Sequence, residues 1–171
     1  MDSFRALYLL AVTLHVLAAA LWVGGMLFLV FVIVPLLRTP ALRERAVALV
    51  AALGLRFRSV GWACFFVLIV TGFVQAAYRT PSPSALAEGA WWSAPFGRLL
   101  AQKLVLVTLI LLLSGVHDFV VGPRASALLA AGPGSPRALH WQRLARWMGR
   151  VNLFLAVAVI AMAVALARGG W

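Results

Sequence analysis

The stretch LYLLAVTLHVLAAALWVGGMLFLVFVIVPLL, residues 7–37, decides the fold: it contains no charged residue, and Thr13 and His15 are its most polar side chains. Roughly 20 apolar residues cross the hydrocarbon core of a bilayer as a helix, so this run spans with length to spare and tilts or projects beyond the core. It is too long for the core of a signal peptide, and Ala18-Ala19-Ala20 leads into more apolar sequence instead of a polar mature start; it reads as retained. Three further stretches qualify as spans: 59–78, 99–121 and 148–167. All four are expected to be helices, because the other way to satisfy every backbone group in lipid is a closed barrel. The alternating strands of about ten residues that a barrel needs are absent.

The whole chain agrees with this reading. Of its 171 residues 64% are hydrophobic and 11% charged, with four acids, one cysteine and a net charge of +11. A soluble domain carries about 25% charged residues, so soluble enzymes, disordered tails and disulfide-stapled modules are excluded. A single cysteine, Cys64, forbids an internal disulfide and any multi-cysteine metal cage. A nucleic-acid partner would need the basic residues gathered on a water-exposed face, whereas here they sit between hydrophobic runs.

Arginine placement then predicts direction. Five arginines lie in the 38–58 segment (Arg38, Arg43, Arg45, Arg56, Arg58) and five between 122 and 150 (Arg124, Arg137, Arg143, Arg146, Arg150); Arg5, Arg79, Arg98 and Arg168 fall on the other side. The positive-inside rule makes 38–58 and 122–147 cytoplasmic loops and both termini external. Each loop holds a helix start, Thr39-Pro40 and Ser135-Pro136, with an N-cap residue before a first-turn proline. The amphipathic run of Leu139, Trp141, Leu144 and Trp147 between arginines is expected at the headgroups. Trp91-Trp92 reads as an aromatic anchor at the opposite interface, and Gly132-Pro133-Gly134 as a turn.

The two halves share one order of elements. Aligning Pro35 with Pro123 sets His15 opposite Lys103, each twenty positions upstream (35 minus 15, 123 minus 103). The expected architecture is a four-helix membrane bundle with a parallel two-helix repeat about an axis along the membrane normal. Lys103 is the only lysine, and an amine can lose its proton where a guanidinium cannot. His15 lies about eight residues into its span, ~12 Å deep, so it is expected to face the interior. Its helix face continues through Ala19, Trp22 and Met26. Small Ala18, Ala19, Gly24 and Gly25 would admit another helix or a flat ligand against the backbone.

Lys103, Ser114 and His117 share one face of the third span. His117 lies ~21 Å beyond Lys103 along the axis, so it is expected to form a separate lower station. Asp118 is expected to pair with Arg124, Arg56 or Arg58 there. Met26 and Cys64 are soft secondary metal contacts, but Met26 is ~16 Å from His15 along the helix and cannot join it in one chelate.

The ordered set Leu14-His15, Leu21-Trp22-Val23-Gly24-Gly25-Met26-Leu27-Phe28, Arg56-Phe57-Arg58, Thr71-Gly72 and Ala94-Pro95-Phe96-Gly97-Arg98-Leu99-Leu100 leading into Lys103 resembles the copper-resistance D (CopD) family over roughly 7–124. That resemblance implies a bacterial inner-membrane protein of copper uptake or tolerance working with a periplasmic copper-binding partner. The His15, Lys103 and His117 pattern is also similar to the HemJ-type protoporphyrinogen oxidases, which implies b-type haem. Three functional expectations follow. The chain handles copper, with His15 as main ligand, Met26 and Cys64 as soft contacts and His117 lower down; or it holds b-type haem through His15 and Lys103, with Trp22 beside them, for electron transfer or porphyrinogen oxidation; or it is a cofactor-free partner subunit. The lipid bilayer is the expected surrounding, and a homo-oligomer is left open.

Overall fold

The computed structural model describes residues 3–132 and 134–167; Arg168 and the Pro133 of the expected turn lie outside them. Four long helices carry the chain: α1 (Ser3–Leu36), α2 (Ala46–Arg79), α3 (Pro95–Ala131) and α4 (Pro136–Ala167). Each is long and apolar enough to cross a membrane. No strand occurs among the described residues.

The helices outrun the spans read from hydropathy. The Ala- and Leu-rich segment from Ala46 onward meets no proline or turn signal before Thr80, so α2 absorbs most of the 38–58 segment. Of the two expected caps, Ser135 acts as one: its Oγ accepts the Ala138 N–H at 3.2 Å. Thr39 has the extended backbone of an N-cap ahead of Pro40, but its hydroxyl instead donates back to the Leu36 carbonyl at 2.8 Å. The Trp91-Trp92 pair sits in a short helix, Gly89–Ser93, its rings edge to face at 4.7 Å.

Side-chain pairs fix an up-down-up-down arrangement. Tyr8 stacks on Tyr78 and Trp22 meets Phe65 edge-on at 4.8 Å, which sets α1 antiparallel to α2. Arg79 closes one end of the bundle: it donates to the Leu166 carbonyl and the Tyr8 hydroxyl, and its guanidinium lies over Phe96. All four helices meet at that residue. At the opposite end α2 packs on α3 through Trp62, Arg58 and Phe119.

The buried core is small: Ala18, Trp22, Val23, Met26, Cys64, Phe65, Ile110 and Ala156. Large apolar side chains point outward instead, Phe31, Phe73 and Phe154 being 71%, 73% and 75% exposed. In water such a surface would drive association; in lipid tails it costs nothing, and helices adhere through close packing of small residues. Gly25 is one such position, covered so tightly by the Phe57 ring of α2 that a Cβ there would strike it, whereas Gly24 faces open space.

One irregularity occurs twice. α1 widens into a π-helical turn at Leu29–Ile33 and α3 at His117–Val121. In each the closing N–H reaches five residues back, Val34 to Leu29 and Gly122 to His117. The cause is the proline that follows, Pro35 and Pro123: it lacks an N–H and its ring presses on the carbonyl four residues earlier, and a widened turn relieves both without ending the helix. A single shift of 88 positions (123 minus 35, 117 minus 29) superposes these features and His15 on Lys103. The same shift carries buried Met26 to buried Ser114 and buried Cys64 to buried Asn152. With α1 and α3 parallel, these features recur at matching positions in the two halves of the sequence.

Candidate functional site

Two polar clusters interrupt the apolar interior. The first joins α1 and α2. The half-buried His15 imidazole lies against Gly72, its Cε1 3.6 Å from where a side chain at that glycine would begin. Its Nδ1 is 2.8 Å from the hydroxyl of buried Thr71. The Thr71 hydroxyl has one proton, and the Val67 carbonyl one turn back receives it at 2.6 Å. The oxygen therefore accepts, and the hydrogen-bond network assigns the proton of neutral His15 to Nδ1. Nε2 is left with its lone pair, the form in which imidazole binds a metal. Lys103 on α3 is half-buried, and among the described residues it has no hydrogen-bond or ion-pair partner.

Trp22 and Met26 continue down α1 from His15 and are buried with Cys64 in the central core cluster. The thioether and the thiol thus share one apolar compartment between α1 and α2. His117 is elsewhere, in the second cluster. Among the described residues no three His, Cys, Asp or Glu side chains converge as a metal cage. His15, the Met26–Cys64 compartment and His117 are successive positions along the bundle.

The second cluster corrects the expected ion pair of Asp118 with an arginine. Its carboxylate takes the His117 Nδ1 at 2.8 Å and the Trp62 Nε1–H at 3.1 Å, while Arg58 donates to the Asp118 backbone carbonyl at 3.2 Å. The π turn that starts at His117 redirects these side chains toward α2, where the indole, not a guanidinium, lies within reach. Nearer the core, the Asn152 amide donates to the Ser114 hydroxyl at 3.0 Å, and Asn152 Oδ1 is buried without a partner.

Thr71, Trp62 and Asn152 are the functional neighbours that sequence reading did not single out as site residues. Asn152 carried a signal, since an amide inside a hydrophobic span is costly unless bonded. Ser114→Ala should strip its partner and destabilise the protein by about 1 kcal/mol, a usual value for interhelical bonds in lipid. Adding Asn152→Leu should restore most of that loss. Unfolding curves in mixed micelles measure both, and a double variant as weak as the single one would contradict the pairing.

Four bilayer-length helices enclosing two interior polar clusters define a multi-pass integral membrane protein. More narrowly, the chain belongs to the CopD family: the family model described as copper resistance protein D matches residues 50–166. An uncharacterized protein of Aquifex aeolicus (strain VF5) is 31% identical over 158 residues, covering 91% of this chain and 92% of that protein. No solved structure matches. The family match lies further along the chain than the resemblance over 7–124. It includes Cys64, Lys103 and His117 and leaves His15, Trp22 and Met26 outside.

Proposed function

We propose that this protein handles copper within a bacterial inner membrane as part of copper resistance, taking it up at His15 and passing it toward Met26 and Cys64. The observation that carries this reading is the Thr71 hydroxyl holding His15 Nδ1 at 2.8 Å, which leaves Nε2 as the nitrogen with a free lone pair. Metal-bound histidines are commonly oriented this way through their other ring nitrogen. Beyond it, thioether and thiol are ligands that select copper in its soft, singly charged state. His117 would serve as a later station. A periplasmic copper-binding protein is the partner this role requires.

A second reading is favoured by the same geometry together with Lys103. A b-type haem needs only one or two axial side chains, and a lone-pair imidazole together with the Lys103 amine of α3 is a donor set of that kind. His15 would be an axial ligand and Lys103 the other ligand or a propionate partner; bound haem would supply one-electron chemistry, in electron transfer or porphyrinogen oxidation. Purified protein separates the readings. Copper retained by a colourless sample after exposure to copper(I), read by elemental analysis, is the expected result. A Soret band would move the site to haem, and the absence of both would leave a cofactor-free partner subunit.

A further inference from the structure

The last turns of α3 and the first turns of α4 face one another across a cleft of ≈ 450 Å³ lined by Arg124, Ala127, Leu128, Arg137 and Trp141. Positions 124, 127 and 128 fall on one face of α3, and 137 and 141 on one face of α4. The Arg124 guanidinium lies over the Trp141 ring, 5.3 Å from its centre. Neither arginine has a carboxylate: the only ion pair among the described residues is His117 with Asp118. Two positive charges therefore line one opening with no carboxylate among the described residues paired with them.

The height of the cleft identifies what supplies the anion. Arg98 and Arg124 on α3 are 26 positions apart (124 minus 98), ~39 Å along the helix, close to the roughly 40 Å of a bilayer with its headgroups. Arg98 and Arg124 thus reach the two opposite phosphate layers. The remaining walls, Ala127, Leu128 and the Trp141 ring, are apolar. A free phosphate would leave them facing water, whereas a phosphodiester attached to glycerol and acyl chains covers them. We propose that this cleft binds the headgroup phosphate of an anionic phospholipid, clamped between Arg124 and Arg137. Basic pockets between membrane helices recognise such headgroups.

The test uses the full chain, released from nanodiscs of equal phosphatidylglycerol and phosphatidylcholine and analysed by native mass spectrometry. The wild-type protein should retain phosphatidylglycerol in preference to phosphatidylcholine. Arg124→Gln with Arg137→Gln should lower that retention about 30-fold, equivalent to about 2 kcal/mol for two basic contacts. Arg124→Lys with Arg137→Lys, which keeps both charges, should preserve the preference and guards against a variant that misfolds. Arg38→Gln with Arg43→Gln, in the other basic segment, should leave it unchanged. Equal retention of the two lipids, an equal loss in the Arg38 and Arg43 variant, or displacement of the lipid by inorganic phosphate would each overturn the proposal.

Discussion

Copper retention should fall below detection when His15 is replaced by alanine, and Thr71→Val should weaken it by about tenfold to a hundredfold, the usual effect of removing a group that orients a metal-bound histidine. The two variants act differently. His15→Ala removes the only imidazole in that half of the bundle, and neither Met26 nor Cys64, deeper in the core, replaces it at the same depth. Thr71→Val keeps the volume and deletes the hydroxyl that accepts Nδ1–H at 2.8 Å. The ring is then free to change tautomer and turn, so its lone pair is no longer held in one direction. Titration of copper(I) against a competing chelator reads both. Full affinity in Thr71→Val would mean that the imidazole needs no support from α2, and unchanged binding in His15→Ala would end the copper assignment at this position.

Asp118→Ala should lower stability by about 2–3 kcal/mol, since it removes hydrogen bonds from His117 and Trp62 to a carboxylate, and bonds to charged groups contribute about 1.5–3 kcal/mol each before allowance for partial exposure. The Asp118 side chain is 21% exposed and that of His117 36%, which holds the two bonds together below the about 3–6 kcal/mol they would sum to if fully buried. Losing it separates Trp62 on α2 from the π turn of α3, so the damage falls on the interface where Arg58 and Phe119 also meet. Asp118→Asn keeps the shape and can still accept the indole N–H, and should cost less than half as much. Chemical unfolding in micelles measures the series. A loss below about 0.5 kcal/mol, the scale of an ordinary surface substitution, would show that this cluster does not hold the helices together.

Spans were readable because lipid imposes one demand that sequence cannot hide: every backbone group must be satisfied within the segment. Their ends were harder to place. Hydropathy marks where lipid stops, while the helix continues through apolar and Ala-rich sequence until a proline or an extended residue ends it, as at Thr39-Pro40 and at Thr80. The equivalent positions of His15 and Lys103, each twenty residues ahead of Pro35 and Pro123, are legible in the sequence itself. Thr71 as the partner of His15 is not, because contact across an antiparallel helix pair depends on the turn between them, and spacing within one helix does not report it. The Asp118 expectation failed for a related reason. Charge suggested an arginine, but the one-residue widening of α3 turns the carboxylate toward Trp62 and leaves Arg58 to the backbone.

That widening also sets what each half tolerates. An extra residue in an uninterrupted helix rotates everything after it by about 100°, whereas the wider turns of α1 and α3 each absorb one such residue. Deleting one residue from Leu29–Ile33 would therefore restore an ordinary α-helical turn and leave Leu36 and the chain behind it in phase, while the same deletion earlier in α1 would swing them round the helix axis.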